Sequence, residues 1–260
     1  MTWSRRYEGN EPQRVNRWLA QSGVCSRREA ENLIGLGRIL IDGQRIEDPG
    51  HKVLPGQTLS MTPEGAKALT AAFTAVMNKP TGFVSGQPEP GQIPAARLLT
   101  AAAALPGGRP PPRDARLPPL GRLDKDSRGL LVLSDDGVLA KALIGPASEI
   151  DKEYVVVLGG EITAKKLGLL REGLVLDGRR LRRAGVRQTA PDRLEFVLRE
   201  GRNRQIRRMC QLVGLTVVDL LRVRMGPLRL GDLPEGRWRP LAPLEREALL
   251  AAAVDGEVAG

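Results

Sequence analysis

The sequence predicts an α+β protein in two parts, and two observations support that prediction. Residues 14–60 combine two short helical patterns with a small hairpin. Beyond residue 73, strand patterns and helical patterns alternate, and short turns join several neighbouring strands. Hairpins in place of long crossovers favour a large, mostly antiparallel sheet flanked by helices. We therefore expect a small N-terminal domain followed by a larger domain built on such a sheet.

Local signals define the elements of the small domain. A helical pattern starts at Arg14 and ends at Gly23, and Ser26 with Glu29 forms the capping box of a second helix. The dipeptide Asp42-Gly43 then predicts a two-residue hairpin turn. The expected boundaries are a flexible N-terminus at residues 1–13, the small domain at 14–60, a linker at 61–72 and the larger domain at 73–255.

Hydrophobic patterns also define the larger domain. The apolar run from Gly129 to Leu133 predicts a buried strand, and the Ser-Asp-Asp-Gly after it supplies turn and helix-cap residues. Residues 85–119 are rich in Pro, Gly and Ala and are expected to form a mobile loop. The later elements are strand 152–158, helix 163–172, a hairpin turning at Asp177-Gly178, strand 193–198, helix 204–213 capped by Asn203, strand 215–223 and helix 243–253.

The segment from Gly121 to Gly137 carries the residues best suited to catalysis. Asp124 lies in a loop directly before the buried strand, so a rigid element fixes its position. A carboxylate held in this way can serve as a nucleophile or as a general base. The alternative is that Asp124 closes an Asx-turn with Ser127, and spacing alone does not separate the two interpretations.

Composition excludes several classes of protein. There is no run of about 20 apolar residues that could span a membrane, and the N-terminus lacks the apolar core of a secretory signal. Cys25 and Cys210 lie far apart and His51 is the only histidine. A disulfide framework, a metal-ligand cluster and histidine-based catalysis are therefore not expected. These features fit a reducing cytosol and predict a cytoplasmic protein.

The charge of the chain predicts a polyanionic partner. The formal net charge is +10 and the pI is about 10.3, which favours nucleic acid over a membrane. Between residues 179 and 208, eleven arginines stand against three acidic residues, a clustering typical of nucleic-acid binding. The alternative is an ordinary solvated basic face. Aromatic residues make up only 3% of the chain, so we expect binding through phosphate contacts and shape instead of base stacking.

Several segments resemble one enzyme family. GRLDKDSRGLLVLSDDG (121–137) is similar to the catalytic loop of the RsuA/RluB/RluE/RluF family of ribosomal RNA pseudouridine synthases, and GRNRQIRRM (201–209) resembles that family's second strong motif. NKPTG (78–82) and KEY (152–154) also match. Residues 14–60 resemble the S4 RNA-binding domain that precedes the catalytic domain in these enzymes. The resemblance covers roughly residues 14–240 and is closest to the RluF-type large-subunit enzymes.

The resemblance implies roles for individual residues. Asp124 occupies the position of the catalytic aspartate, Arg207 that of the arginine paired with it, and Tyr154 that of the tyrosine that stacks on the target base. From the residues alone, Arg207 follows the buried Ile206 in a helix, so it can point into a cleft. Leu220 or Leu221 is expected to supply an apolar wall. The residues expected to contact RNA are Arg14, Arg17, Arg27, Arg28, Arg38, Lys79, Arg122, Arg202, Asn203, Arg204, Gln205 and Arg208.

The function implied by the resemblance is the isomerisation of uridine to pseudouridine in ribosomal RNA. The substrate would be 23S in preference to 16S, as free RNA or as a ribosome assembly intermediate, with the target base flipped out of its stack. An isomerisation consumes nothing, in keeping with a chain that has no P-loop, no G-x-G-x-x-G and no metal-ligand spacing. No cofactor, metal or membrane is expected, and nothing in the sequence requires more than a monomer.

The sequence is also compatible with three other functions. The chain could be a catalytically silent S4-containing RNA-binding protein in ribosome assembly. It could be a nuclease with a Mg²⁺ site formed by Asp124, Asp126, Asp135 and Asp136, although Asp135-Asp136 is better explained as a helix cap. It could also be a structural ribosomal protein.

Overall fold

The computed structural model describes residues 3–70, 72–112 and 115–258. Residues 1 and 2 of the expected flexible N-terminus, residue 71 of the expected linker and residues 113 and 114 of the expected loop lie outside that range. The chain divides into two compact units, Met1–Phe73 with Ser134–Lys141, and Thr74–Leu133 with Ala142–Gly260. Among the described residues, no helix is long and apolar enough to cross a membrane.

The N-terminal unit is built on a four-stranded antiparallel sheet. The sheet order is β1-β6-β3-β4, and a separate pair joins β2 to β5. Its core contains Leu19 and Ile34 from the helix pair and Ile39 and Leu59 from the sheet. The elements are β1 (Ser4–Arg6), β2 (Gln13–Arg14), α1 (Val15–Gln21), α2 (Arg27–Gly35), β3 (Ile39–Ile41), β4 (Gln44–Ile46), β5 (Lys52–Val53), β6 (Thr58–Met61) and α3 (Pro63–Thr70).

The two local signals predicted for this unit are present. The Ser26 hydroxyl accepts a hydrogen bond from the Glu29 amide at 3.2 Å, and the Glu29 carboxylate accepts one from the Ser26 amide at 2.6 Å. Asp42 and Gly43 both have positive φ, +48° and +83°. This is the backbone of a two-residue turn whose twist matches the flanking strands, and it explains the Asp-Gly pair.

Two boundary segments differ from expectation. Residues 1–13 were expected to be flexible, but Ser4–Arg6 pairs with β6, and Tyr7 is only 5% exposed. The cause is aromatic burial, since the Trp3 and Tyr7 rings lie 6.1 Å and 6.0 Å from the Trp18 ring. The expected linker at 61–72 contains α3, because Pro63 suits the first turn of a helix and the alanines after it favour helix.

The chain beyond residue 73 contains the predicted large sheet. The elements of this part of the chain are β7 (Thr74–Lys79), β8 (Phe83–Val84), β9 (Ile93–Pro94), β10 (Arg128–Ser134), α4 (Gly137–Ile144), β11 (Lys152–Gly159), α5 (Ala164–Glu172), β12 (Val175–Leu176), β13 (Arg179–Arg180), β14 (Gly185–Ala190), β15 (Arg193–Leu198), α6 (Gln205–Leu212), β16 (Thr216–Met225), β17 (Leu228–Arg229), β18 (Trp238–Pro240) and α7 (Pro243–Val258). The order of the large sheet is β14-β15-β11-β16-β10-β7-β18, with β17 paired to β16. Two further pairs, β8 with β9 and β12 with β13, lie outside it.

Strand pairing in this sheet is mostly antiparallel, as predicted. The pairs β14/β15, β15/β11, β11/β16, β16/β17 and β18/β7 are antiparallel, whereas β10 and β16 are parallel. Gly129 permits the parallel pair, because its φ is +106° and an added Cβ would lie 2.3 Å from the Arg222 carbonyl oxygen. The strand that follows Asp124 is therefore held at the centre of the sheet.

The Pro-rich stretch at 85–119, expected to be mobile, is attached to β18 in its described part. The Leu105 amide donates to the Trp238 carbonyl at 2.8 Å, and the Trp238 amide donates to the Ala103 carbonyl at 3.1 Å. The Trp238 indole also donates to the Thr100 carbonyl at 2.9 Å, and the ring is fully buried. Burial of this large ring orders the segment despite its composition.

Candidate active site

A cleft of about 690 Å³ lies in the unit that carries the large sheet. Its lining includes Asp124, Tyr154, Leu220 and the start of α6. The volume falls within the range of about 300–1,000 Å³ typical of sites for small molecules. Arginines contribute much of the remaining wall, namely Arg122, Arg182, Arg199, Arg202, Arg204, Arg207 and Arg222.

Asp124 lies on a tight turn at this cleft. Its backbone carbonyl accepts a hydrogen bond from the Ser127 amide at 3.1 Å, so the turn is closed by backbone atoms and not by the carboxylate. The Asp124 side chain is 33% exposed, and its nearest cation is Arg204, with Nη1 3.7 Å from Oδ2. In an Asx-turn the Asp124 carboxylate would close the turn. Here backbone atoms close it, and Asp124 lines the cleft.

The predicted ion pair between Arg207 and Asp124 is not present. Arg207 Nε instead lies 3.3 Å from Oδ2 of Asp126, and its Nη2 donates to the Asp126 carbonyl at 2.8 Å. A further bond from Nη1 to the Val217 carbonyl, 3.3 Å long, fixes the guanidinium in this position. Arg207 is only 14% exposed, so it does point into the protein at the cleft, but towards the neighbouring carboxylate.

Asp126 is the carboxylate on which the α6 arginines converge. Arg204 donates to both of its oxygens, at 3.0 and 2.8 Å. This two-pronged hydrogen bond, with the nearby charge of Arg207, holds the pKa of Asp126 below its ordinary value. Arg204 therefore stands between the two carboxylates, bound to Asp126 and close to Asp124. Neither the motif nor the spacing of the sequence predicted this role for Asp126.

Tyr154 lies at the cleft as the resemblance implies. It belongs to β11, opposite Phe196 of β15 and Arg222 of β16, and it is 9% exposed. Leu220, rather than Leu221, lines the cleft and supplies an apolar side chain there.

The start of α6 differs from prediction in two respects. The residue that caps the helix is Arg204, in the left-handed region with φ +48°, so Asn203 is not the cap. Gln205, expected to contact RNA, lines the cleft but is only 4% exposed, and its side chain accepts a hydrogen bond from the Arg202 amide at 3.0 Å and donates to Glu200 at 3.0 Å. Its carboxamide is used to order the turn that leads into the helix.

Lys79, expected to contact RNA, is buried. It is fully buried at the end of β7, and its Nζ donates to the carbonyls of Pro80 and Phe83, each at 2.8 Å. Burial lowers the pKa of this amine to about 8. An RNA contact would require the amine at the surface, but the turn folds back over the side chain and its carbonyls accept the hydrogen bonds of Nζ.

The other residues expected to contact RNA are divided between the two units. In the N-terminal unit, Arg14, Arg17, Arg27 and Arg28 are exposed and Arg38 is partly buried. In the second unit, Arg122 and Arg202 line the cleft, and Asn203 lies beside them. Arg208 is outside the cleft and binds Asp177 through both terminal nitrogens, at 2.9 and 2.6 Å.

The arginine cluster at 179–208 is less uniformly positive than the sequence indicates. Acidic side chains, some from distant parts of the chain, neutralise a good share of it. The pairs are Arg182–Glu149, Arg187–Glu195, Arg202–Glu200, Arg204–Asp126, Arg207–Asp126 and Arg208–Asp177. The other arginines of the cluster, Arg179, Arg180, Arg183, Arg193 and Arg199, are exposed, and none has a carboxylate within 4 Å among the described residues.

Sequence reasoning missed two cations at the cleft. Lys152 donates to the Ile150 carbonyl at 3.0 Å, and burial lowers its pKa to about 8. Arg222 is only 1% exposed and donates to backbone carbonyls. A signal for Arg222 was available, because a charged residue inside a strand predicted to be buried must find polar partners.

Two families of known proteins match this sequence, one in each unit. The family described as RNA pseudouridylate synthase matches residues 74–212, and the S4 domain matches residues 13–59. The chain therefore belongs to the RNA pseudouridylate synthase family and carries an S4 domain. The predicted family, fold class and enzyme class are confirmed.

Similarity to individual proteins indicates the type of pseudouridine synthase within this family. The chain is 31% identical over 230 residues to the dual-specificity RNA pseudouridine synthase RluF of Escherichia coli strain K12, covering 88% of this chain and 75% of that protein. It is 32% identical over 252 residues to a putative ribosomal large subunit pseudouridine synthase, SVR1, chloroplastic, of Arabidopsis thaliana, covering 92% and 61%. A crystal structure of a pseudouridylate synthase has the same fold, with a TM-score of 0.63 at 23% identity, covering 91% and 99%. The chain is an enzyme of the RluF type.

Proposed function

We propose that this enzyme converts a specific uridine of ribosomal RNA, 23S in preference to 16S, into pseudouridine, with Asp124 as the catalytic carboxylate. One observation carries the proposal: Asp124 lies on an ordered turn, at a cleft walled by cations and large enough for one base. The preference for 23S rests on similarity to RluF and to a relative named for the large ribosomal subunit.

The reaction exchanges one bond of the nucleoside for another. The N1–C1′ bond breaks, the base turns, C5 bonds to C1′, C5 loses its proton and N1 gains one. No atom is added or lost, so the residues need only bind, orient and move protons. We assign the step at the nucleoside to Asp124, whose carboxylate lies at the cleft with Arg204 Nη1 3.7 Å from Oδ2.

The target base must leave its RNA stack to reach Asp124. Tyr154 then packs on the flipped base and Leu220 forms the apolar wall beside it, since both line the cleft. Arg207 acts through Asp126, which it contacts, and so helps to hold Arg204 in place. The exposed cleft arginines Arg122 and Arg199 bind phosphates on either side of the target.

The S4 unit supplies a second RNA contact. Its exposed arginines Arg14, Arg17, Arg27 and Arg28 are suited to phosphates, and each phosphate contact adds to the salt dependence of binding. We propose that the enzyme acts as a monomer and without a cofactor, on free RNA or on an assembly intermediate.

The test uses purified protein with 23S and 16S transcripts, and with partly assembled subunits. Pseudouridine is mapped by chemical modification and primer-extension stops. We expect one new stop in 23S RNA with the wild type and none with Asp124→Asn. Asp126→Asn, in the same loop two residues away, is the matched control and should retain the stop at reduced rate.

The outcomes separate this function from its rivals. A new stop in 16S RNA alone would overturn the 23S preference. If tight binding persists but no substrate acquires a stop, the chain is a silent RNA-binding protein. If Asp124→Asn retains full activity, the carboxylate assignment is wrong.

A further inference from the structure

The backbone directly before Asp124 is held by two buried side chains that lie outside the catalytic loop. Ser85 follows β8 and is 6% exposed, while Arg222 belongs to β16 and is 1% exposed. Each reaches the loop from a different part of the chain, 38 residues away for Ser85 and about 100 for Arg222. Neither was singled out by the sequence.

Ser85 binds both backbone groups of the residue that precedes Asp124. Its hydroxyl donates to the Leu123 carbonyl at 2.8 Å and accepts from the Leu123 amide at 3.0 Å. A single side chain thus fixes the peptide groups on both sides of Leu123. In the turn just before β8, the Gly82 amide donates a hydrogen bond to the Lys125 carbonyl at 2.8 Å. The segment that carries Ser85 therefore also holds the residue after Asp124.

Arg222 holds the start of the loop. Its Nη2 donates to the Gly121 carbonyl at 3.1 Å, its Nη1 to the Arg122 carbonyl at 3.4 Å and its Nε to the Leu130 carbonyl at 2.7 Å. The guanidinium therefore joins the loop to the strand that follows it. All three acceptors are neutral, although a buried guanidinium would ordinarily be placed against a carboxylate.

The burial of Arg222 is not explained by the stability of the fold. Burying a cation without a counter-ion is unfavourable, and replacing such groups by apolar ones is often neutral or stabilising. Among the described residues, the Asp124 carboxylate has one cation within 4 Å, Arg204, and forms no side-chain hydrogen bond. The loop backbone is fixed while the reactive group is left free, which is the arrangement a reacting carboxylate requires.

We propose that Ser85 and Arg222 are positioning residues that fix the Asp124 loop in its reactive geometry. The proposal rests on the function proposed above for Asp124. Small displacements of a reacting group cost as much as about 10²-fold in rate, so loss of either residue should slow the chemical step.

The test measures the single-turnover rate of pseudouridine formation and the RNA dissociation constant separately. We expect Ser85→Ala to lower the rate by about tenfold or more and Arg222→Lys by about 10²-fold, with the dissociation constant unchanged. Arg224→Lys is the matched control. Arg224 lies on the same strand and pairs with Asp151 and Glu153, but it does not touch the loop. It should lower the melting temperature without lowering the rate.

A measurement on the protein alone accompanies these rates. The Leu123 amide should exchange with solvent faster in Ser85→Ala than in the wild type, because its acceptor is removed. Unchanged exchange, or faster exchange with an unchanged rate of reaction, would overturn the proposal. So would a rate loss in Arg222→Lys no larger than in Arg224→Lys. If the wild type modifies no RNA, the proposed function fails, and amide exchange alone then decides whether the two residues hold the loop.

Discussion

The buried amine of Lys79 makes stability depend on pH in a defined direction. In the folded protein its pKa is lowered to about 8, whereas the ordinary value is 10.5. Between these two values the unfolded chain binds the proton and the folded chain has released it. The free energy of unfolding must therefore rise with pH over this range.

The size of the effect follows from the two pKa values. A tenfold change in a proton-binding constant corresponds to about 1.4 kcal/mol, so the full change from 10.5 to about 8 corresponds to about 3 kcal/mol. About 2 kcal/mol of it should be gained between pH 7 and pH 9.5. Below about pH 8 the penalty for burying the charged amine is present in full.

The measurement compares wild type with Lys79→Met by urea denaturation at several pH values. Methionine has a similar shape, so the variant should fold. Lys152 titrates in the same direction, and the buried thiols Cys25 and Cys210, whose pKa values burial raises to about 12, oppose it above pH 9. Those contributions are common to both proteins and cancel in the difference.

We expect the stability of the wild type, minus that of Lys79→Met, to rise by about 2 kcal/mol from pH 7 to pH 9.5. Lys165→Met, which removes an exposed lysine of α5, is the control and should give a flat difference. A flat difference for Lys79→Met as well would refute the burial of a titrating amine at this position.

Three further predictions concern single residues. Gly129→Ala should destabilise the protein by about 3 kcal/mol or more, measured by urea denaturation, because the new Cβ would lie 2.3 Å from the Arg222 carbonyl oxygen. Ser26→Ala should lower stability by about 1 kcal/mol through loss of the capping box, also measured in urea. Arg204→Ala should raise the pKa of Asp126, since the hydrogen bond from Arg204 is the main cause of its lowered value, and carboxyl NMR across a pH titration would show it.

Local features of the fold were predictable because their causes are local. The capping box at Ser26 and the turn at Asp42-Gly43 each depend on a few consecutive residues, and both are present. The strand after Asp124 followed from a continuous apolar run. The resemblance to the family motifs predicted that Asp124, Tyr154 and Arg207 share one site, and all three line the same cleft. Neither spacing nor composition alone would have identified Tyr154.

Side-chain partners were not predictable in the same way. Arg207 had two carboxylates within reach, two residues apart on one turn, and only the folded geometry selects Asp126 over Asp124. Lys79 was expected at the surface because turn lysines usually are, whereas its burial depends on the path of the chain after it. Asn203 had the preferred chemistry for a cap, but the backbone turns one residue later.

The parallel pairing of β10 with β16 has a consequence for the order in which the enzyme forms. Arg222 binds Leu130 across 92 residues of sequence, and Asn78 binds Leu233 across 155. Contacts between residues so far apart in the chain form late and slow the folding of a domain. The helix pair and hairpin of the N-terminal unit need only neighbouring residues. During synthesis these elements can thus form before β16, whose Arg222 holds the Asp124 loop, has been made, so the geometry of that loop is fixed only after them.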